Sequence, residues 1–191
     1  MTDWIHIRRT PKAVIQGLAL LIVLPFATLA GFGRLSSAFQ GFGQLFSLVP
    51  GLLGDYIRVA FCVLTLRECS LHSRISFGTF FARSSAVVGS GVYIGSYCVL
   101  GDCDIGERTQ IAYHVQILSG RRQHQREVDG RILGAEEETF GKVIIGKDRW
   151  IGAAAVVMAD IGAGTTIGAG AVVTRAIASN TVAVGNPARP R

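Results

Sequence analysis

The chain has 191 residues, of which 49% are hydrophobic and only 17% charged, with 24 glycines and a formal charge of +6. That length suits one main domain with an appendage. The basic residues are scattered and form no aromatic-interleaved basic helix, which argues against a nucleic-acid binder and leaves an anionic membrane or a phosphorylated ligand.

Residues 13–33 carry no charge and lie between Arg8, Arg9 and Lys12 on one side and Arg34 on the other. About 20 apolar residues are enough for a helix to cross a bilayer. A signal peptide competes, but the apolar run is long for one and no small-x-small cleavage site comes after it. Residues 35–54 form a second uncharged stretch, rich in aromatics and glycine. Residues 1–54 are therefore expected to be an apolar, helical, membrane-associated segment. The basic flank predicts a cytoplasmic N-terminus. A hairpin that does not cross is preferred over two crossings, because it leaves the remaining chain in the cytoplasm. An apolar helical pair packed on the end of the repeat array or in an oligomer interface is the alternative. Residues 55–74 mix apolar and basic side chains and read as a linker that caps the repeat array beginning near residue 75.

From Val88 an aliphatic–glycine pair recurs, mostly every six residues. The pairs are Val88-Gly89, Ile94-Gly95, Leu100-Gly101 and Ile105-Gly106, then Ile145-Gly146, Ile151-Gly152, Ile161-Gly162 and Ile167-Gly168. Between them lie Ile111-Ala112 and Ile117-Leu118. The fifth place of each unit is small or β-branched: Val92, Cys98, Thr109, Val115, Ala155, Thr165, Ala171. A period of six fits neither a helix nor a plain half-buried strand. It fits a short strand plus a corner, with glycine supplying backbone angles denied to other residues. Stacked corners make a prism-like solenoid whose coils are stable only on one another. The fold class is mainly β, a parallel β-helix over residues 75–178, with a tail at 179–191.

Residues 119–142 interrupt the array with SGRRQHQREVDGRILGAEEETFGK. Insertions of this kind gather on functional faces. The excursion holds His124, whose ordinary pKa suits a general base. His114 sits within a repeat unit at an outward corner, where a lone histidine is more often a surface group. His6 and His72 read as surface or interfacial residues. Cys62, Cys69, Cys98 and Cys103 form no CxxC pair, so reduced thiols are expected, and Cys98 takes an inward small-residue place. GxSxG, Walker and HExxH motifs are absent. GAGTTIGAG imitates a dinucleotide fingerprint but lacks βαβ context.

The units VYIGSY, IIGKDRWIGAAAVV and TIGAGAVVTR, followed by VAVGNPAR, resemble the hexapeptide-repeat acyltransferases. The bacterial sugar and polysaccharide O-acetyltransferases are the most similar branch. The resemblance covers roughly residues 75–191 and implies a left-handed β-helix. It also implies a homotrimer with active sites between subunits and acyl-CoA, usually acetyl-CoA, as donor. It implies His124 as general base, with His114 as fallback. In the Trp-Ile-Gly rung, Trp150 matches an aromatic packed near the pantetheine and thiol end of the cofactor, Gly152 belongs to the same cofactor-binding rung, and Ala153, which follows it, matches an oxyanion-binding backbone N–H. Ala169 matches the pantetheine-binding position, and Arg175 and Arg189 match residues near the nucleotide phosphates. The apolar N-terminus departs from the small soluble members. A lipid-linked or polysaccharide precursor at the inner membrane is therefore the expected sugar acceptor. Two other readings stay open. One is a membrane-anchored trimeric scaffold without catalysis. The other is a γ-carbonic-anhydrase-like zinc enzyme, for which a third histidine is missing, so no metal is expected.

Overall fold

The computed structural model describes residues 4–119, 129, 131, 132 and 141–191, with side chains from residue 11 onward. His124 lies outside the described residues, as does most of the excursion.

Three helices open the chain: α1 (Trp4–Leu29), α2 (Ser36–Ser47) and α3 (Gly51–Thr65), with one 3-10 turn (Gly31–Gly33) between the first two. The expected boundary at residue 54 falls inside α3, and the first strand begins at Glu68. α1 packs along α3, and its buried residues form a narrow stripe, Ala19, Val23 and Ala27, continued just past its end by Ala30. These small residues recur at helical spacing and let the two axes approach. The large apolar residues of α1 point elsewhere: Leu18, Leu21 and Ile22 are 55%, 66% and 51% exposed. The middle of the helix and the turn that follows it are tied to the first coil of the solenoid. Gln16 Nε2 donates to Leu71 O at 2.7 Å, and just beyond α1 Ser84 Oγ donates to Gly33 O at 2.7 Å.

One buried arginine locks this layer. The Arg58 guanidinium, 3% exposed, donates to Val49 O (2.7 Å), Phe46 O (3.2 Å) and Ile75 O (2.9 Å). It also pairs with Asp55 at 2.6 Å. It thereby satisfies carbonyls left open at the end of α2 and joins α2, α3 and the first coil. Burial pushes its pKa down, and the Asp55 carboxylate opposes that shift.

The rest of the chain is a three-faced parallel β-helix. Face 1 stacks β1 (Glu68–Cys69), β4 (Val87–Val88), β7 (Cys103–Ile105) and β10 (Val143–Ile145). Face 2 stacks β2 (Arg74–Ile75), β5 (Tyr93–Ile94), β8 (Gln110–Ile111), β11 (Trp150–Ile151), β13 (Thr166–Ile167) and β15 (Val182–Val184). It ends in the antiparallel β16 (Arg189–Pro190). Face 3 stacks β3 (Phe80–Phe81), β6 (Val99–Leu100), β9 (Gln116–Ile117), β12 (Val156–Val157) and β14 (Val172–Val173). Bridges Ile145–Ile161 and Ile161–Ile177 continue face 1.

The aliphatic of each repeat falls in register on its equivalent one coil away. On face 2 the column runs Ile75, Ile94, Ile111, Ile151, Ile167. All are buried at 1% or less. Burying one such side chain stabilises by about 1.5–3 kcal/mol, so the column is a continuous core rather than a set of separate ones. Fifth-place threonines add cross-coil bonds: Thr79 Oγ1 donates to Gly95 O (2.6 Å) and Thr109 Oγ1 to Gly146 O (3.0 Å).

The glycines serve a purpose other than the expected one. A Cβ on Gly152 would lie 2.4 Å from Ala169 N, and one on Gly106 would lie 2.6 Å from Gly146 C. They are required by the close approach of the next coil. The left-handed corner conformation falls two residues later, and ordinary residues hold it at Tyr97 (φ 60°), His114 (φ 60°) and Ala154 (φ 58°).

Candidate active site

Three edges separate the faces, and each sequence-predicted residue can be assigned to one. The edge between faces 2 and 3 carries, from the first coil upward, Phe77, Tyr97, Tyr113-His114, Ala153-Ala154 and Ala169-Gly170. Backbone bonds hold these corners on one another: His114 N donates to Ser96 O (2.9 Å), Ala154 N to Tyr113 O (2.9 Å) and Gly170 N to Ala153 O (2.8 Å).

The upper part of this edge is open because its residues are small. The N–H groups of Ala153 and Ala169 donate to no acceptor among the described residues. This freedom recurs at equivalent corners such as Tyr113. What distinguishes Ala153 and Ala169 is that neither carries a side chain that covers the edge. Gly152 lies beneath Ala153, packed against the Ala169 backbone. Trp150 projects from the adjoining face 2, 53% exposed, between Gln110 and Thr166 on the neighbouring strands. Arg189 stands on β16 at the end of the same sheet, with Nη1 donating to Ala188 O at 3.3 Å.

The lower part of the edge is aromatic. The His114 imidazole stacks on Tyr97 with centroids 5.2 Å apart and planes within 6°. Phe77 meets Tyr97 edge-on at 5.5 Å. The Tyr113 phenol shares a hydrogen bond with Tyr93, which raises its pKa. His114 is exposed, as expected for a corner position. Its place in an aromatic strip next to Ala153 was not evident, because no one-dimensional spacing puts Tyr97 beside it.

Arg175 stands apart. It follows β14 on the edge between faces 3 and 1. The excursion leaves from that same edge. Its neck is closed by Gly141 N donating to Ser119 O (3.1 Å) and by Ser119 Oγ accepting from Asp102 N (2.8 Å). Lys142 Nζ then reaches Ser85 O and Asp104 Oδ1, each at 3.0 Å. Within the chain, Trp150, Gly152, Ala153, Ala169, Arg189 and His114 share one side of the prism. Arg175 and the root of the excursion share another edge.

Sequence reading also missed Arg149. It fills an inward fifth place, 2% exposed, where other coils carry small residues. Its guanidinium donates to Lys147 O and Ile161 O, and burial lowers its pKa. Of the four free thiols, Cys62, Cys98 and Cys103 are buried and Cys69 is half-buried. Burial raises them all, Cys69 to about 11.

No protein-family model matches the chain. A Schizosaccharomyces pombe protein provisionally named an acetyltransferase, C18B11.09c, is 40% identical over 89 residues, which are 45% of this chain and 41% of that protein. The chain thus spans about two fifths of the length of that relative. A maltose O-acetyltransferase from Clostridium difficile 630 superposes over 86% of this chain and 89% of its own, with TM-score 0.67 and 23% identity. The chain has the hexapeptide-repeat, left-handed β-helix fold of the acetyltransferases. The fold also matches the N-acyltransferase AntD from Bacillus cereus, solved as its S84A mutant with dTDP-4-amino-4,6-dideoxyglucose and coenzyme A. That match covers 62% of this chain and 68% of the other, with TM-score 0.53 and 20% identity.

Proposed function

We propose that the protein is an acyl-CoA-dependent O-acyltransferase that moves an acetyl group onto a sugar hydroxyl. The observation that carries this reading is the open edge at Ala153 and Ala169, where two stacked backbone N–H groups lie free beside Trp150. The acyl donor lies along this edge, with its thioester at Ala153 and its pantetheine arm at Ala169. Arg189 neutralises phosphate charge farther along. The structural neighbours, a maltose O-acetyltransferase and an N-acyltransferase solved with an amino sugar nucleotide bound, favour a sugar acceptor.

The base comes from the excursion of a neighbouring copy in a homotrimer. The excursion and Arg175 are rooted on a different edge from Ala153, so two protomers placed edge to edge bring His124 and Arg175 to the donor. His124 takes the proton from the acceptor hydroxyl as its oxygen attacks the thioester carbonyl carbon. The resulting oxyanion accepts a hydrogen bond from Ala153 N–H. Collapse breaks the C–S bond, and the imidazolium returns its proton to the departing coenzyme A thiolate. His114, stacked on Tyr97, lines the acceptor side of the same edge. The aromatic faces of Tyr97 and Phe77 suit the C–H face of a sugar ring.

The helical layer supports a membrane-surface setting for this chemistry. Residues 11–29 form a helix long and apolar enough to cross a bilayer, with mean hydropathy 1.9. Its attachment to the first coil at Gln16 and next to Gly33 favours a helix lying in the interface over one that crosses. α2, at 12 residues, spans about 18 Å, short of the roughly 30 Å hydrocarbon core, so it adds no second crossing. A lipid-linked or growing polysaccharide unit on the cytoplasmic leaflet is the acceptor this arrangement fits.

The test is acetyl transfer by the full chain in detergent micelles, with acetyl-CoA and a panel of soluble and lipid-linked sugars. The reading requires sugar-dependent release of coenzyme A with an acetylated product. Absence of acetyl-CoA binding would return the protein to a scaffold role.

A further inference from the structure

A cavity of about 270 Å³ opens between α1, α3 and the corner after β1. Lys12 and Gln16 of α1, Tyr56 and Ala60 of α3, and His72 of the corner line it. An apolar groove of about 550 Å³ lies farther along the same two helices, lined by Gly17, Leu20, Leu21 and Leu24 of α1 and by Leu64 of α3. Lys12, Gln16, Leu20 and Leu24 stand four residues apart, as do Tyr56, Ala60 and Leu64. Residues at that spacing are neighbours on a helix surface, so cavity and groove follow one another along a single seam. The bond from Gln16 Nε2 to Leu71 O holds the corner against the seam. A Cβ on Gly17 would meet nothing within 4 Å, so the glycine leaves the groove open.

The charges divide into those already used and those left over. Asp55 is the only acid between Asp3 and Glu68. Its carboxylate is shared by the buried Arg58 (2.6 Å) and by Arg74 (2.7 Å). Lys12 makes no ion pair, and the His72 imidazole no hydrogen bond, among the described residues. Both are exposed at the cavity mouth. The seam thus carries an unpaired cation and a hydrogen-bonding ring at one end and hydrocarbon at the other. A small anion would leave the groove empty, and a plain hydrocarbon chain would leave Lys12 unpaired. A second copy of the helical layer offers Lys12 no carboxylate, because its Asp55 is likewise taken. An amphiphile with an anionic head and a hydrocarbon tail meets both ends.

We propose that the seam binds one anionic phospholipid. Its phosphate accepts hydrogen bonds from the Lys12 ammonium and from a His72 ring N–H, and one acyl chain lies along Leu20, Leu24 and Leu64. The source of the lipid rests on the membrane-surface setting proposed for the helical layer.

The test is native mass spectrometry of the full chain released from detergent micelles that hold equal amounts of phosphatidylglycerol and phosphatidylcholine. One phosphatidylglycerol per chain is expected, retained about tenfold over phosphatidylcholine, the scale of one charge-assisted hydrogen bond. Lys12→Glu abolishes the preference and His72→Ala weakens it. Gly17→Leu fills the groove and lowers retention of both lipids, without a fall in melting temperature, because it enters open space and favours helix. Arg34→Glu makes the same charge change on the helical layer outside the seam and leaves retention unchanged. Equal retention of the two lipids, or a Lys12→Glu protein that keeps the preference, overturns the proposal. So does an Arg34→Glu protein that loses as much as Lys12→Glu, since the effect is then the field of the whole layer. A parallel calorimetric titration with glycerol 3-phosphate is expected to bind at least about tenfold more weakly than the lipid, because the buried chain is missing. Equal binding makes the cavity a free-phosphate site and overturns the lipid. Partition onto vesicles is read separately. Lipid retention without partition keeps the seam and removes the membrane setting, and partition without retention does the reverse.

Discussion

The β-helix and the helical layer are both rich in large aliphatics, yet they treat them oppositely. Ile94, Leu100 and Ile111 are fully buried, whereas Leu21 and Leu52 are 66% and 67% exposed. In the solenoid each inward residue meets its equivalent in the next coil, so the repeat is its own partner. α1 offers α3 only a stripe of alanine and valine and leaves its larger side chains outside. An apolar surface of that extent marks an interaction face. One region buries its large aliphatics within the chain, and the other leaves them exposed.

The contrast meets its severest test at the proposed site, where the rigid region requires the excursion. His124→Ala is expected to lower acetyl transfer by about 10²–10⁴-fold, the usual worth of a general base, while acetyl-CoA binding is kept. His114→Ala should act mainly on KM for the sugar. If the two effects are exchanged, His114 is the base.

Within the fold, the largest loss is expected at Arg58. Arg58→Leu leaves the Phe46, Val49 and Ile75 carbonyls unpaired and Asp55 with Arg74 alone, and should cost about 3–5 kcal/mol in denaturant unfolding. Gly152→Ala forces a Cβ against the backbone of Ala169 and should cost about 1–3 kcal/mol, with weakened acetyl-CoA binding. A triple change of Leu18, Leu21 and Ile22 to Ser does the reverse. It should leave unfolding nearly untouched and reduce partition onto anionic vesicles by about tenfold or more, since on the proposed interfacial placement these side chains bury in lipid rather than in the fold. A triple variant that unfolds instead would show that this face is internal.

The smallest effect concerns the thiols. Cys69 is held protonated up to about 11, chiefly by burial, with its hydrogen bond to Ser73 opposing. Below pH 9 its proton is bound in both states and costs nothing. As pH rises from 9 toward 11, the unfolded chain releases a proton that the folded chain retains, so stability falls across that window. Alkylation of the native protein at pH 8 should accordingly be slow beside the denatured protein. Fast native labelling of Cys69 would contradict its burial.

Much of this was legible in the residues. The Ile-Gly pairs identified the inward columns, and the fifth places, from Val92 to Ala171, are all buried. The six-residue period works because each coil meets the same environment. What the period does not encode was harder to see. Arg58 looks like one more basic residue in a linker, and only tertiary packing brings Phe46, Val49 and Ile75 carbonyls to it. Arg149 breaks the small-residue rule without breaking the period. Glycine after each aliphatic suggested a left-handed corner, but its cause is the backbone of the next coil, a contact about 16 residues away at Gly152. The free N–H groups of Ala153 and Ala169 were placed by resemblance, since an alanine's backbone leaves no signature in composition.

Acyl transfer to a glycan can be read on the products themselves. The measurement is mass spectrometry of glycans and lipid-linked sugars from cells expressing the intact chain or its His124→Ala variant. One glycan species is expected to lose the mass of a single acetyl group in the variant. Identical glycan masses in the two would contradict acyl transfer by this protein.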